Sequence, residues 1–274
     1  MAAVTPRFRF LASPTPVALA HRGGAKENPE NTLVAFSHAV DDLDYRYVET
    51  DVHTTADGVV AVCHDPTLDR TTDRCGALVD LPWSEVARAR IAGDQAVPRL
   101  DEVLAAWPAV RWNIDAKHDA VVDPLVEVIR RAGAIDRVCI TSFSDRRLMR
   151  VRRALGPELC TAMGPLAIAG LRAAGYAPGM LPAGGRTAGG VWPPRWRSGA
   201  GAAQVPMAQG RISIVDPRFI ATAHRCALAV HVWTINDAAV MERVVDLGVD
   251  GIMTDRPTVL RAVLERRGLW APQP

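Results

Sequence analysis

Ionisable residues cluster near the ends of three short β-branched runs, spaced so that their side chains can meet. His21 and Arg22 end the run Val17 to His21. Glu49 and Asp51 alternate within Tyr47 to Val52 (YVETDV), and Asp115 and Lys117 alternate within Val110 to Lys117 (VRWNIDAK). Residues two apart on a strand share a face, so each pair points one way. Three inward carboxylates on neighbouring strands are costly unless they are paired or bind a cation. Glu49, Asp51 and Asp115 form an all-oxygen set that suits a hard divalent metal, Mg²⁺ or Ca²⁺, better than zinc. The alternative is a salt-bridge network joining them to Arg22 and Lys117. His64 follows the turn Ala56-Asp57-Gly58, which reverses the chain after the second run and can return this histidine toward the others. Two histidines near a cation, with Arg22 and Lys117 as fixed positive charges, provide a general base, a general acid and anion stabilisation. Displacement at phosphorus requires that combination. His53 shares the parity of Asp51 and is read as a local structural residue.

Such a gathering needs a scaffold in which several strand ends converge. Further strand-like runs are Arg137 to Phe143, Leu159 to Met163, Ala202 to Pro206, Ala227 to Ile235 and Asp250 to Thr254, with helical stretches between the later ones. The first helix is expected over Asn31 to Asp41. About eight such units close a parallel barrel, so the expected fold is an α/β (β/α)8 TIM barrel, whose sites lie at the C-terminal ends of the strands. A doubly wound sheet is the main rival, but its glycine-rich first turn, G-x-G-x-x-G, is absent. The chain reads as one domain over 1–274 with an insertion after strand two at about 53–107, leaving from the catalytic ends and helping to build the site. A second long stretch, Gly164 to Gly201, contains Trp192 to Arg197 (WPPRWR). With Leu166 to Ala174 as the helix after strand five, that segment is expected on the face away from the chemistry. Asn31 or Thr32 is expected to cap the first helix, with Glu30 facing the site. Gln204, at the end of strand six, is expected to hydrogen-bond substrate, and Asp216-Pro217 and Asp255 to Pro257 read as helix starts.

Composition narrows the partners. Lys+Arg of 32 against Asp+Glu of 30 gives a net charge of +2. No long block of like charge exists to hold a polyanion, so no nucleic acid partner is expected. Hydrophobic content of 49% and charged content of 23% describe a folded globular protein rather than a disordered one. Five scattered cysteines argue against a disulfide framework and for a reducing compartment. The apolar run after Arg7 and Arg9 is cut by Pro14 and Pro16, too short for a signal core or a membrane span. The expectation is a cytoplasmic protein without stable membrane insertion.

Taken together, the motifs resemble the glycerophosphodiester phosphodiesterase family. The match runs through HRGGAKENPENT (His21 to Thr32), ETDVHTTADGVVAVCHDPTLDRTT (Glu49 to Thr72), PRLDEVL (Pro98 to Leu104), NIDAK (Asn113 to Lys117), VHVWTIND (Val230 to Asp237) and GVDGIMTDRP (Gly248 to Pro257). The blocks occur in family order along nearly the whole chain. The resemblance implies a barrel with a small insertion after strand two, and metal-dependent hydrolysis of a glycerophosphodiester substrate to glycerol phosphate and an alcohol. It implies His21 and His64 as the catalytic pair, and Glu49, Asp51 and Asp115 as ligands of Mg²⁺ or Ca²⁺. Arg22 and Lys117 become phosphate-facing cations, and Trp233 a wall against the glycerol carbons. One position departs from the pattern: the third ligand is usually glutamate, and Asp115 keeps the charge with one methylene less reach. Two further activities fit the same residues, hydrolysis of lysophospholipids and catalytically silent binding of phosphate esters.

Overall fold

The computed structural model describes residues 7–14, 16–176 and 199–270, and among them strand and helix alternate eight times. The barrel strands are β1 (Val17–His21), β2 (Tyr47–Thr54), β3 (Arg111–Ala116), β4 (Val138–Thr141), β5 (Cys160–Thr161), β6 (Ala202–Pro206), β7 (Ala229–Trp233) and β8 (Gly251–Thr254). The helices that follow them are α1 (Leu33–Ser37), α2 (Leu100–Ala106), α3 (Val122–Arg131), α4 (Asp145–Leu155), α5 (Pro165–Ala174), α6 (Pro217–Arg225), α7 (Ala238–Leu247) and α8 (Pro257–Arg266). Parallel ladders run in the order β5-β4-β3-β2-β1-β8-β7-β6. A parallel bridge between Ala162 and Ala202 completes the ring. Beside it, Met163 N donates to Ala202 O at 2.8 Å and Gly201 N donates to Thr161 O at 2.9 Å.

Burial on both sides explains the composition of the strands. Every residue of β2 is buried, as expected for a parallel strand covered by helices outside and filled by side chains inside. The helices turn one stripe inward: in α3, Val122, Leu125, Val126 and Ile129 are buried at spacings of three and four. Gly248 ends α7 in the left-handed conformation with φ 82°, the usual stop for a helix. α1 starts at Leu33 because the Thr32 side chain accepts the Ala35 N–H. The helical run then loosens into a wider turn, His38–Asp42.

Phe8 and Phe10 fill the N-terminal end of the barrel, packed with Tyr47, Cys139, Cys160 and Met253. Tyr47 Oη donates to Phe10 O at 2.7 Å, and the two rings meet edge-on at 5.2 Å. Between β2 and α2 lies a subdomain with its own core of Ala61, Cys63, Leu68, Leu78, Val86, Ala89, Ile91 and Val97. The expected 53–107 stretch therefore spans this subdomain together with α2. Its first element, Val60–Val62, returns antiparallel along β2, pairing Val62 with Val52. Trp192 to Arg197 lie outside the described residues. No described helix is long and apolar enough to cross a membrane.

A polar layer crosses the barrel interior. Asn113 and Gln204 exchange two amide hydrogen bonds, at 3.2 and 2.8 Å, and Gln204 Nε2 donates to His231 Nδ1 at 3.3 Å. His231 is 1% exposed, and burial pushes its imidazole down to about 4. The unfolded chain therefore takes up a proton here below its ordinary value of 6.5 while the folded chain does not. The resulting stability is complete above pH 6.5 and declines as pH falls toward 4, by up to about 3 kcal/mol. Urea titrations of the wild type and His231→Gln across this window are expected to show a shallower acid loss in the variant; parallel pH dependences would remove His231 from the account.

Candidate active site

The turn His21-Arg22-Gly23-Gly24 brings the first two site residues over the strand ends. Arg22, Gly23 and Gly24 have φ values of 54°, 80° and 107°, a region glycine enters at no steric cost. A Cβ on Gly23 would lie 2.8 Å from the Ala35 backbone, and one on Gly24 would lie 2.7 Å from the Pro257 ring. Glycine at these two positions thus lets α1 and α8 close in behind the site. The Arg22 guanidinium donates to Glu30 Oε1 at 3.1 Å. Its Nε lies 3.2 Å from Asp51 Oδ2, an ion pair without hydrogen-bond alignment.

Strand register sets the acidic floor: His21 lies opposite Glu49, and Asp51 lies opposite Asp115. Glu49, Asp51 and Asp115 are 4, 1 and 5% exposed. Lys117 Nζ sits between two of them, 2.9 Å from Asp51 Oδ1 and 2.7 Å from Asp115 Oδ2. Asn31 does not cap the helix; its Nδ2 donates to Asp51 Oδ2 at 3.0 Å, and its Oδ1 accepts from Thr50 Oγ1 at 2.8 Å. Burial works against the charge on Asp51, but Lys117 and Arg22 outweigh it and hold its carboxyl below the usual range. Burial and the neighbouring Asp51 push Glu49 above the usual carboxylate range. Asp115 is also raised, chiefly by burial, in spite of Lys117.

The salt-bridge arrangement is therefore realised around Asp51, Asp115 and Lys117. Among the described residues, no three Asp, Glu, His or Cys side chains converge as a metal-holding group. The donor chemistry nonetheless fits a hard cation. Asp115 Oδ1 is buried with no hydrogen-bond partner, and burial and the neighbouring Asp51 work against the charge on Glu49.

Each site histidine is held through Nδ1 by a carboxylate. His21 Nδ1 lies 2.5 Å from Asp255 Oδ1, while its Nε2 faces Glu49 Oε2 at 3.7 Å. Burial opposes the imidazolium, yet Glu49 and the Asp255 hydrogen bond together raise its pKa. Asn236 fixes Asp255 in turn, donating from Nδ2 to Oδ2 at 2.8 Å and accepting the Asp255 backbone N–H at 2.8 Å. His64 Nδ1 lies 2.6 Å from Asp65 Oδ1. Arg70 spans from Asp65 to Glu30, with contacts of 2.5 and 2.7 Å, so one chain of charges links His64 through Asp65, Arg70 and Glu30 to Arg22. The hairpin delivers His64 here because Cys63 N donates to Asp51 O at 3.0 Å. His53 Nε2 contacts the His64 carbonyl at 3.1 Å, the structural role expected of it.

The other side of the mouth carries two aromatic rings. Trp233, the last residue of β7, meets Phe143 edge-on with ring centres 6.0 Å apart. Gln204 lies one inward position deeper than the end of β6, engaged with Asn113 and His231. Asp216 caps α6 as expected, accepting the Phe219 N–H at 2.8 Å. Asp255 does not act as a cap: α8 is preceded by Arg256 with no side-chain cap, and the Asp255 carboxylate turns to His21 instead. Sequence parity carried the signal, since Met253 packs in the barrel interior and Asp255 stands two residues on.

Comparison with known proteins agrees with this geometry. The model of the glycerophosphoryl diester phosphodiesterase family matches residues 21–259. The chain is 36% identical over 266 residues to a Mycobacterium tuberculosis protein named probable glycerophosphodiester phosphodiesterase 2, covering 97% of each. It is 27% identical to a human lysophospholipase D, covering 93% of this chain and 87% of that one. The crystal structure of a glycerophosphodiester phosphodiesterase from Agrobacterium tumefaciens superimposes with a TM-score of 0.72 at 26% identity, covering 91% of this chain and 99% of that one. With the match running from His21 at the end of β1 into α8, the chain belongs to the glycerophosphoryl diester phosphodiesterase family.

Proposed function

We propose that this protein hydrolyses glycerophosphodiesters to glycerol phosphate and an alcohol, with His21 and His64 moving the protons. One observation carries the reading: two imidazoles at one barrel mouth are each anchored through Nδ1 by a carboxylate, at 2.5 and 2.6 Å. That anchoring leaves Nε2 of each ring for proton transfer. An alkoxide leaves poorly, so one histidine must protonate the departing oxygen and the other must take the proton of the attacking hydroxyl. We assign His64 as the acid and His21 as the base. Arg22 and Lys117 supply positive charge toward the phosphoryl oxygens, and Trp233 lines the glycerol side. Gln204 supports the pocket from below, with substrate contact reserved to its exposed part. Glu49, Asp51 and Asp115 would hold Mg²⁺ or Ca²⁺, which would neutralise charge on the phosphoryl group.

A silent phosphate-ester-binding barrel would have no use for two anchored histidines. Product analysis over a panel of glycerophosphodiesters, with and without chelator, tests the point. Release of glycerol phosphate together with the free alcohol is expected; tight binding without turnover of any substrate would reassign the barrel to binding alone.

Asp255 is assigned as the positioning residue of His21. Asp255→Asn keeps the size of the side chain but removes the carboxylate that fixes the ring and its tautomer. We expect kcat to fall on the order of a hundredfold with KM nearly unchanged. Steady-state kinetics showing kcat within twofold of wild type would strip Asp255 of this role.

A further inference from the structure

Arg70 grips two carboxylates, one with each edge of its guanidinium. On Asp65, Nε donates to Oδ2 at 2.5 Å and Nη2 to Oδ1 at 3.1 Å. On Glu30, Nη1 donates to Oε2 at 3.0 Å and Nη2 to Oε1 at 2.7 Å. Asp65 holds His64 Nδ1 at 2.6 Å, and Glu30 Oε1 also accepts from Arg22 at 3.1 Å. The two carboxylates belong to different parts of the fold, since Asp65 follows the hairpin return into the subdomain and Glu30 lies in the loop between β1 and α1. Both ends are fixed from inside. Leu68 is 1% exposed in the subdomain core, its N–H donates to Gly76 O at 3.0 Å, and Thr72 Oγ1 donates to Leu68 O at 2.8 Å. Beside Glu30, Asn31 is buried and bonded to Asp51 and Thr50.

The Arg70 side chain is 48% exposed, and ion pairs that open to water add little to stability. A doubly forked guanidinium does fix the plane of a carboxylate, which a lone ammonium cannot do. The hydrogen bonds from Arg70 hold the Asp65 carboxyl down to about 2, so Asp65 stays an acceptor at any pH where the protein is folded. An acceptor there keeps a proton on His64 Nδ1 and leaves Nε2 as the nitrogen that exchanges one. We propose that Arg70 is the positioning residue of the general acid: held between Asp65 and Glu30, it sets the direction in which His64 Nε2 presents its proton to the departing oxygen. The proposal rests on the hydrolase reading above, with His64 as its acid. Arg70 touches no reacting atom and acts through Asp65.

The test uses the full chain with a glycerophosphodiester of an ordinary alcohol and with an aryl counterpart, whose leaving group departs without protonation. Arg70→Met keeps the apolar stem and removes every donor. It is expected to lower kcat on the alkyl ester on the order of tenfold, a part of the roughly 10² to 10⁴ that proton transfer contributes, with KM within about twofold. Arg70→Lys is expected to fall as far, because one ammonium cannot fork onto two carboxylates. On the aryl ester both variants are expected within about twofold of wild type. Asp65→Asn, alone and combined with Arg70→Met, completes a cycle in which loss of Arg70 costs little more once Asp65 is gone. Equal losses on the two esters, additive losses in the cycle, or a drop in melting temperature large enough to account for the rates overturns the proposal. Nitrogen NMR of the neutral His64 ring reads the clamp without turnover: a single tautomer protonated at Nδ1 is expected in the wild type and a mixture in Arg70→Met, and an unchanged spectrum overturns it. A changed spectrum in a protein that hydrolyses neither ester would sink the hydrolase reading and leave the clamp on His64 standing. Failure of the aryl ester to rescue His64→Ala would sink the acid assignment, and the positioning of an acid by Arg70 with it.

Discussion

His64→Ala is expected to lower turnover of a glycerophosphodiester of an ordinary alcohol by on the order of 10² to 10⁴, with the fold retained. His64 is partly exposed at the end of a hairpin return rather than packed in the core, so its removal opens no cavity. An aryl leaving group departs without protonation, so an aryl phosphodiester is expected to restore most of the rate of this variant. His21→Ala is expected to lose as much on both kinds of substrate, because the attacking hydroxyl still has to give up its proton. The two variants assayed on the two esters therefore assign the acid and the base. Rescue of His21→Ala alone would reverse the assignment, and near wild-type turnover in both would remove the histidines from the mechanism.

Chelation is the second large effect. Three carboxylates that are 4, 1 and 5% exposed share the mouth with Arg22 and Lys117, an arrangement in which burial and Asp51 raise the Glu49 carboxyl above its usual range. A divalent cation would relieve this crowding, so exhaustive metal removal is expected to abolish hydrolysis, and Mg²⁺ or Ca²⁺ to restore it. Full activity in the stripped protein would leave Lys117 and Arg22 as the only cations required. Asp115→Asn is expected to raise the metal concentration needed for half-maximal activity while leaving the melting temperature within a few degrees. Unfolding of this variant would show that the Lys117 bridge to Asp51 and Asp115 is a stability element instead.

Much of the site was legible in the residues because strand parity is local. Glu49 with Asp51 shares a face whatever the strand packs against, and a turn such as Ala56-Asp57-Gly58 announces a reversal that returns His64. Strand count and the position of ionisable groups at strand ends were enough for the barrel, since parallel strands joined by helices have few ways to bury both faces. Strand ends were less legible: β5 is reduced to Cys160–Thr161 and a bridge at Ala162, because pairing there depends on where the ring closes.

Ring closure also decided what the sequence by itself did not. The partner of His21 lies 234 residues away, and Asp255 reaches it only because β8 returns beside β1. The same closure turns Gln204 toward Asn113, 91 residues distant, and sets Phe143 against Trp233. Periodicity determined which way each side chain points from its own strand. Which side chains then meet across the barrel was set by the order of strands around it, a long-range property that no local pattern encodes.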